Sequence, residues 1–299
     1  MPPQAEALPG RGLPPLPTRR PPTISLTFHL FFGKISTAEF QGEGMLLTVW
    51  FYFVLVVTAI IASTGVVVVT IFNSRSEVPL RITHYWGKLL LFCAGVDLKV
   101  EGLEHLDLKR PYVFAANHQS AFDIFALLAA LPKVKFLAKK ELFAIPLFGL
   151  ALGRAGSLPV DRSNRQAALK SIDQAAQVVR EGSSIVIFPE GTRSDTGQLL
   201  PFKKGGFVLA IKSGQPIVPV SLSGTGAVLS RGWGRIHSGP IKVVFGRPIP
   251  TDIYQKVNKD QLMARLREAI LENYDPQYGQ TGAAARPGSP AISVQTPCS

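Results

Sequence analysis

One apolar stretch dominates the hydrophobic pattern of this chain. Residues 44–74 carry no charged side chain in 31 positions, and Met45 to Phe72 is apolar almost throughout. About 20 helical residues cross a hydrocarbon core of about 30 Å. The segment 45–72 is therefore long enough to be transmembrane with tilt, or to break near Ala62-Ser63-Thr64-Gly65 and re-enter. Residues 79–95 differ: Arg81, His84 and Lys88 share one helical face while Leu80, Tyr85, Trp86 and Leu89 to Phe92 supply apolar contacts, the pattern of an interfacial helix. From Val96 onward the apolar runs are short and β-prone, predicting strands near 98–101, 112–116, 134–138, 185–188, 217–222 and 241–245. Ile124 to Leu131 reads as a buried helix closed by Pro132. Helices at 165–181, through Ala168, Ile172, Ala176 and Val179, and at 260–273, through Leu262, Leu266 and Ile270, have apolar faces to cover a sheet. Pro219 points to an irregular or edge strand, and Gly156 to Arg162 reads as an edge loop. The pattern predicts one α/β domain over 96–275: an αβα-type arrangement with a mainly parallel or mixed sheet flanked by helices, preceded by a membrane-anchoring helical segment at 45–95.

The ends read as unstructured. Residues 1–22 hold eight prolines, so 1–44 is expected to be a disordered Pro-rich extension, and 276–299, rich in Gly, Pro, Ser and Ala, a disordered tail. The first internal methionine, Met45, opens the apolar segment; residues 1–44 are expected to be dispensable for activity, whether as a start-site artefact or as a genuine extension. Lys34 is the only Lys or Arg in the twenty residues before the long segment, against Arg75, Arg81 and Lys88 in the twenty after it. That bias puts the C-terminal domain on the cytoplasmic side, in a bacterial frame at the cell inner membrane. The net charge of +12 favours anionic partners. Membrane lipids and phosphorylated substrates fit better than nucleic acid, because the basic residues form no stripe with interleaved aromatics. Cys93 and Cys298 stand outside any CxxC or His-rich setting, which excludes a thiol nucleophile or a zinc site from the expected chemistry.

Candidate chemistry begins at Asn117-His118-Gln119-Ser120-Ala121-Phe122-Asp123, between a strand and a helix. Within one helix, residues five apart lie about 140° apart and could not meet. A loop histidine can fold back onto Asp123, whose carboxylate would bind one ring N–H and leave the other nitrogen to take a proton. Ser120 and Asp123 also read as a helix capping box that needs no catalysis, and local spacing leaves both readings open. A second cluster, Phe188 to Ser194 (FPEGTRS), follows the run Ile185-Val186-Ile187. There Gly191 permits close backbone approach, Arg193 offers a planar fork for phosphate, and Glu190 can hold a hydroxyl or an arginine. An ordinary Pro-Glu-Gly turn is the alternative. Lys139 and Lys140, after another strand, read singly as solvated.

The order and wording of these segments resemble the 1-acylglycerol-3-phosphate acyltransferases and related glycerolipid acyltransferases, over residues 80–250. Asn117 to Asp123 matches the NH-four-residues-D block, Gly156 to Arg162 the G-five-residues-R block, Phe188 to Ser194 the FPEGTRS block, and Val218 to Val220 the V-P-V block. The resemblance implies acyl transfer from acyl-CoA or acyl carrier protein to the free hydroxyl of a lysophospholipid, with lysophosphatidic acid the expected acceptor and phosphatidate the product. It implies His118 as the base and Asp123 as its partner, with Asn117, Lys139, Arg162, Glu190, Gly191, Thr192 and Arg193 binding substrate. Lys139 or a backbone amide near it would supply an oxyanion donor. No metal and no further cofactor is expected, because a thioester is already an activated donor and one base suffices. Another lyso acceptor, glycerol 3-phosphate or a lyso amino-acid lipid, suits the same base, and a non-catalytic basic lipid-binding protein is the reading from another class.

Overall fold

A computed structural model describes residues 40–161, 165–230, 234–252 and 259–280. Arg162, residues 1–39 of the extension expected over 1–44 and residues 281–299 of the tail expected over 276–299 lie outside the described residues; residues 40–44 of that extension belong to a helix. Seven strands form one mixed sheet: β1 (Val96–Glu101), β2 (Val113–Ala116), β3 (Lys135–Lys139), β4 (Leu158–Val160), β5 (Ile185–Ile187), β6 (Ile217–Ser223) and β7 (Gly239–Phe245), in the order β1-β7-β6-β2-β5-β3-β4. All neighbours are parallel except β6 and β7. Strands β2, β5 and β6 are buried at every residue, as their unbroken apolar runs require of strands covered on both faces.

Alternation along β2 shows the layering. Phe114 and Ala116 face a core shared with α3 (Phe122–Ala130), whereas Val113 and Ala115 face the core built by α5 (Arg165–Arg180), α6 (Gly205–Ser213) and α8 (Lys259–Asn273). The Gly156–Arg162 segment is not simply an edge loop, because Leu158 to Val160 pairs with β3 as an edge strand. Pro219 neither interrupts its strand nor lies at an edge, since β6 runs unbroken from Ile217 to Ser223 between β2 and β7. Gly246 donates its N–H to the Pro219 carbonyl at 2.8 Å, and the proline has no N–H to return. A Cβ at residue 246 would stand 2.7 Å from Pro219 Cγ, so glycine opposite makes the interior proline tolerable.

On the α3 side lie two N-terminal helices, α1 (Phe40–Phe72) and α2 (Val78–Cys93). Helix α1 runs without a break through Ala62 to Gly65. Its hydroxyls explain why polar residues do not interrupt it. Thr58, Thr64 and Thr70 each donate to the carbonyl four residues back, to Val54, Ile60 and Val66, so none is left unpaired in an apolar setting. Residues Gly44 to Phe72 are long and apolar enough to cross a membrane. Helix α2 is only partly interfacial in character. Tyr85, Leu89 and Phe92 are exposed, but Gly87 meets α3 so closely that a Cβ would lie 2.7 Å from Leu128 Cβ. His84, expected on the polar face, instead sets Nδ1 2.8 Å from the Leu128 carbonyl. Trp86 ties the pair together by donating its indole N–H to Thr58 Oγ1 at 2.9 Å.

Candidate active site

Because β2 and β5 run parallel, with Ala115 opposite Ile187, the loops that follow them leave the same sheet edge. This brings two sequence segments about seventy residues apart into contact, at the edge where parallel sheets bind ligands. His118 lies in the first loop, 9% exposed. Its Nδ1 is 2.7 Å from Asp123 Oδ2. The same oxygen accepts the backbone N–H groups of Gln119 at 2.6 Å and Ser120 at 2.8 Å. A single carboxylate oxygen thus holds both the turn into α3 and the imidazole, whereas the other half of the expected capping box is replaced: Ser120 Oγ accepts the Phe122 N–H at 3.2 Å rather than that of Asp123. With Nδ1 carrying the proton toward Asp123, Nε2 is the nitrogen that can accept one.

The second loop holds the backbone of the first. Glu190 Oε1 accepts the His118 N–H at 2.7 Å, and Oε2 accepts the Leu200 N–H at 2.8 Å. The carbonyl of His118 accepts the Ser194 N–H at 2.8 Å. The sequence suggested that Glu190 holds a hydroxyl or an arginine; among the described residues it is 2% exposed and its oxygens hold two backbone N–H groups instead. Burial pushes its carboxyl up to about 7, against the opposing pull of those two N–H donors and with the Asp123 carboxylate adding to the rise. Asn117, expected to bind substrate, is likewise bonded to the backbone. Its amide donates to the Leu222 carbonyl at 2.8 Å and accepts the Leu222 N–H at 2.7 Å, so it joins the loop to β6.

Gly191 has φ +72°, and a Cβ there would collide with the Lys203 side chain at 2.8–2.9 Å. Glycine thus lets Lys203 fold over the turn. Thr192, Arg193 and Lys139 line the same cavity as His118. Lys139 is exposed, with its ammonium 3.5 Å from Glu141. The cavity holds about 590 Å³ and is mainly apolar: Phe51, Leu55 and Val66 of α1, Trp86 of α2, and Phe125 and Leu128 of α3 contribute. Two features escaped the sequence reading. Phe188, the first residue of FPEGTRS, stacks on the His118 ring, and α1 and α2 form a wall of the cavity rather than an anchor apart from it.

A rim bearing Lys139 and Arg193, a buried imidazole whose Nε2 makes no hydrogen bond among the described residues, and an apolar chamber can hold an amphiphile at its polar–apolar junction. Residues 97–223 match the Acyltransferase family model. A 1-acyl-sn-glycerol-3-phosphate acyltransferase of Cocos nucifera is 40% identical over 175 residues, 58% of this chain and 56% of that protein. The enzyme of the same name from Limnanthes douglasii is 35% identical over 205 residues, 68% of this chain and 72% of that protein. The chain thus spans little more than half the length of the first and nearly three quarters of the second. Among solved structures, the 1-acyl-sn-glycerophosphate acyltransferase PlsC of Thermotoga maritima superposes with a TM-score of 0.68 at 27% identity, covering 77% of this chain and 94% of that one. By sequence and by fold, this chain belongs to the 1-acyl-sn-glycerol-3-phosphate acyltransferase family.

Proposed function

We propose that the chain transfers an acyl group from acyl-CoA or acyl carrier protein to the free sn-2 hydroxyl of 1-acylglycerol 3-phosphate, giving phosphatidate. The observation that carries this reading is the His118–Asp123 pair opening onto an apolar chamber whose rim bears Arg193. His118 Nε2 takes the hydroxyl proton as the oxygen attacks the thioester carbonyl. The tetrahedral oxyanion collapses, the C–S bond breaks, and the imidazolium returns the proton to the departing thiolate. Asp123 keeps the tautomer and faces the imidazolium while it lasts. Arg193 binds the acceptor phosphate as a fork, Thr192 and the Gly191 turn border that site, and Lys139, on the same cavity, is the cationic candidate for the oxyanion.

An apolar chamber walled by α1 suits an acyl chain, which would enter from the bilayer without crossing water. The excess of Arg75, Arg81 and Lys88 after the long helix favours a catalytic domain on the cytoplasmic face, at the cell inner membrane if the source is bacterial. Purified full-length protein in lipid vesicles, given labelled acyl-CoA and acyl carrier protein donors against a panel of lyso acceptors, tests the reading. Acylation of lysophosphatidate well above the other acceptors is expected. Preference for glycerol 3-phosphate or another lysophospholipid would reassign the acceptor, and no acylation of any acceptor would refute the reaction.

A further inference from the structure

Gln119 follows the candidate base, and its side chain makes a tie absent from the chemistry above. Its Nε2 donates to Tyr274 Oη at 2.6 Å, and Tyr274 in turn donates its hydroxyl hydrogen to the Gly197 carbonyl. Tyr274 stands just past the end of α8, so one phenol joins residues 155 and 77 positions away in the chain. Gly197 has φ +76°, a turn that brings its carbonyl to the hydroxyl. Burial pushes the phenol up, which keeps it a proton donor at any physiological pH.

Both ends of this tie lead back to the reacting region. On one side, the backbone N–H of Gln119 is bonded to Asp123 Oδ2 at 2.6 Å. On the other, Gly197 lies in the stretch from Arg193 to Leu200, which is pinned at Ser194 to the His118 carbonyl and at Leu200 to Glu190. We propose that Tyr274 is a positioning residue: its hydroxyl, bonded to Gln119 and Gly197, sets the spacing between the loop carrying His118 and the loop carrying Arg193. The acyl-transfer reading gives this spacing its purpose, because phosphate and hydroxyl sit a fixed distance apart on a glycerol phosphate acceptor. If Arg193 grips one and His118 deprotonates the other, a misplacement of about 1 Å is worth up to 10²-fold in rate.

A purely structural role for the hydroxyl, fastening α8, is already filled by other groups. Leu262, Leu266 and Ile270 are fully buried, Ser221 Oγ donates to the Ile270 carbonyl at 2.7 Å, and Arg267 donates to the carbonyls of Leu199 and Leu200, each at 2.9 Å. Just beyond the tyrosine, the Asp275 N–H is bonded to Ser223 Oγ at 3.0 Å. Removing only the oxygen should therefore leave the helix docked.

Tyr274→Phe in the full-length chain, assayed in vesicles, is expected to lower kcat with lysophosphatidate about tenfold while leaving the KM of the acyl donor unchanged. Gln119→Leu should do the same, and the double variant should be no worse than the worse single one, because both cut one tie. Independently of any substrate, hydrogen exchange in Tyr274→Phe should quicken together in peptides covering 117–123 and 195–200, with an unfolding temperature close to the parent's. Parent-like kcat in Tyr274→Phe, losses that multiply in the double variant, or faster exchange confined to the end of α8 would each overturn the proposal. If the parent acylates no lyso acceptor, the acyl-transfer reading fails on its own. The exchange measurement still decides the spacing, since two loops loosening together supports it and neither loosening refutes it.

Discussion

Phe188 lies flat on the imidazole of His118, with ring centroids 3.9 Å apart and planes 18° from parallel. The Asp123 bond fixes one edge of the imidazole, and the phenyl fixes its plane. Two residues on, Glu190 holds the His118 N–H, so one short segment controls both the backbone and the ring of the candidate base. Phe188→Leu keeps an apolar side chain but loses the flat face. It is expected to lower kcat about tenfold through misorientation, with little change in the KM of the acyl donor. Steady-state kinetics on both substrates checks this, and a loss confined to KM would assign Phe188 to binding instead.

His118→Ala should cost at least about 10² in turnover, the usual worth of a general base, while the protein is still recovered folded in the membrane fraction. Retention of more than about a tenth of the activity would end the assignment. Asp123→Asn needs a stability control, because Oδ2 also accepts the N–H groups of Gln119 and Ser120. A severe loss in a protein that remains folded supports the orienting role; a loss explained by unfolding alone leaves Asp123 as a helix cap.

The His118–Asp123 pair was legible because its logic is local: a strand ends, a helix begins, and a histidine in the loop between them can fold back onto a carboxylate in the first turn of the helix. The core faces of α5 and α8 were legible for a similar reason, since their apolar spacing repeats over several turns. The bonds of Asn117 and Glu190 were not legible because they run to backbone groups of Leu222, His118 and Leu200, and a backbone amide leaves no trace in a residue pattern. Strand β4 is three residues long and contains Pro159, too short to display alternation. Pro219 broke the rule that confines proline to edges because Gly246 opposite has no side chain to oppose it. The cavity depended on α1 packing against α3 through Phe51 and Phe122, whose rings stack at 5.2 Å, a contact between segments that hydropathy alone treats as anchor and enzyme.

Arg193→Ala should raise the KM for lysophosphatidate more than that for the acyl donor, because a guanidinium fork suits the acceptor's phosphate rather than a thioester. Varying each substrate with the other saturating separates the effects. Equal rises for both substrates, or a pure loss of turnover, would remove the phosphate role.

Ala62, on α1, lines the chamber between Phe51 and Val66, which are about 22 Å apart along the helix at 1.5 Å per residue. Ala62→Phe projects a ring into the chamber about 6 Å short of Val66, nearer that end of the length. Long-chain donors should lose kcat/KM by at least about tenfold while short-chain donors keep theirs, since the ring excludes only methylenes that reach it. A series of acyl-CoA thioesters of increasing length reads the result directly. A uniform decrease across all lengths would mean that the chain does not lie along α1.

Glu190 gives the fold a pH dependence of predictable sign. Its carboxyl is raised to about 7 in the folded protein from an ordinary value of 4.5, chiefly by burial. Between those values the folded state holds more protons than the unfolded one, so this group stabilises the fold fully below pH 4.5, and that contribution is lost as pH rises through about 7. Glutamine at this position cannot ionise, though its amide NH2 must confront one of the two backbone donors, from His118 or Leu200, which lowers stability by an amount that does not vary with pH. Glu190→Gln should therefore be less stable than the parent at pH 5, and the gap should narrow steadily toward pH 8. Thermal unfolding of both proteins in the same detergent across that range tests the sign. A gap that stays constant would mean that Glu190 titrates at its ordinary value, and a gap that widens with pH would mean that the two N–H bonds outweigh burial and hold the carboxylate charged.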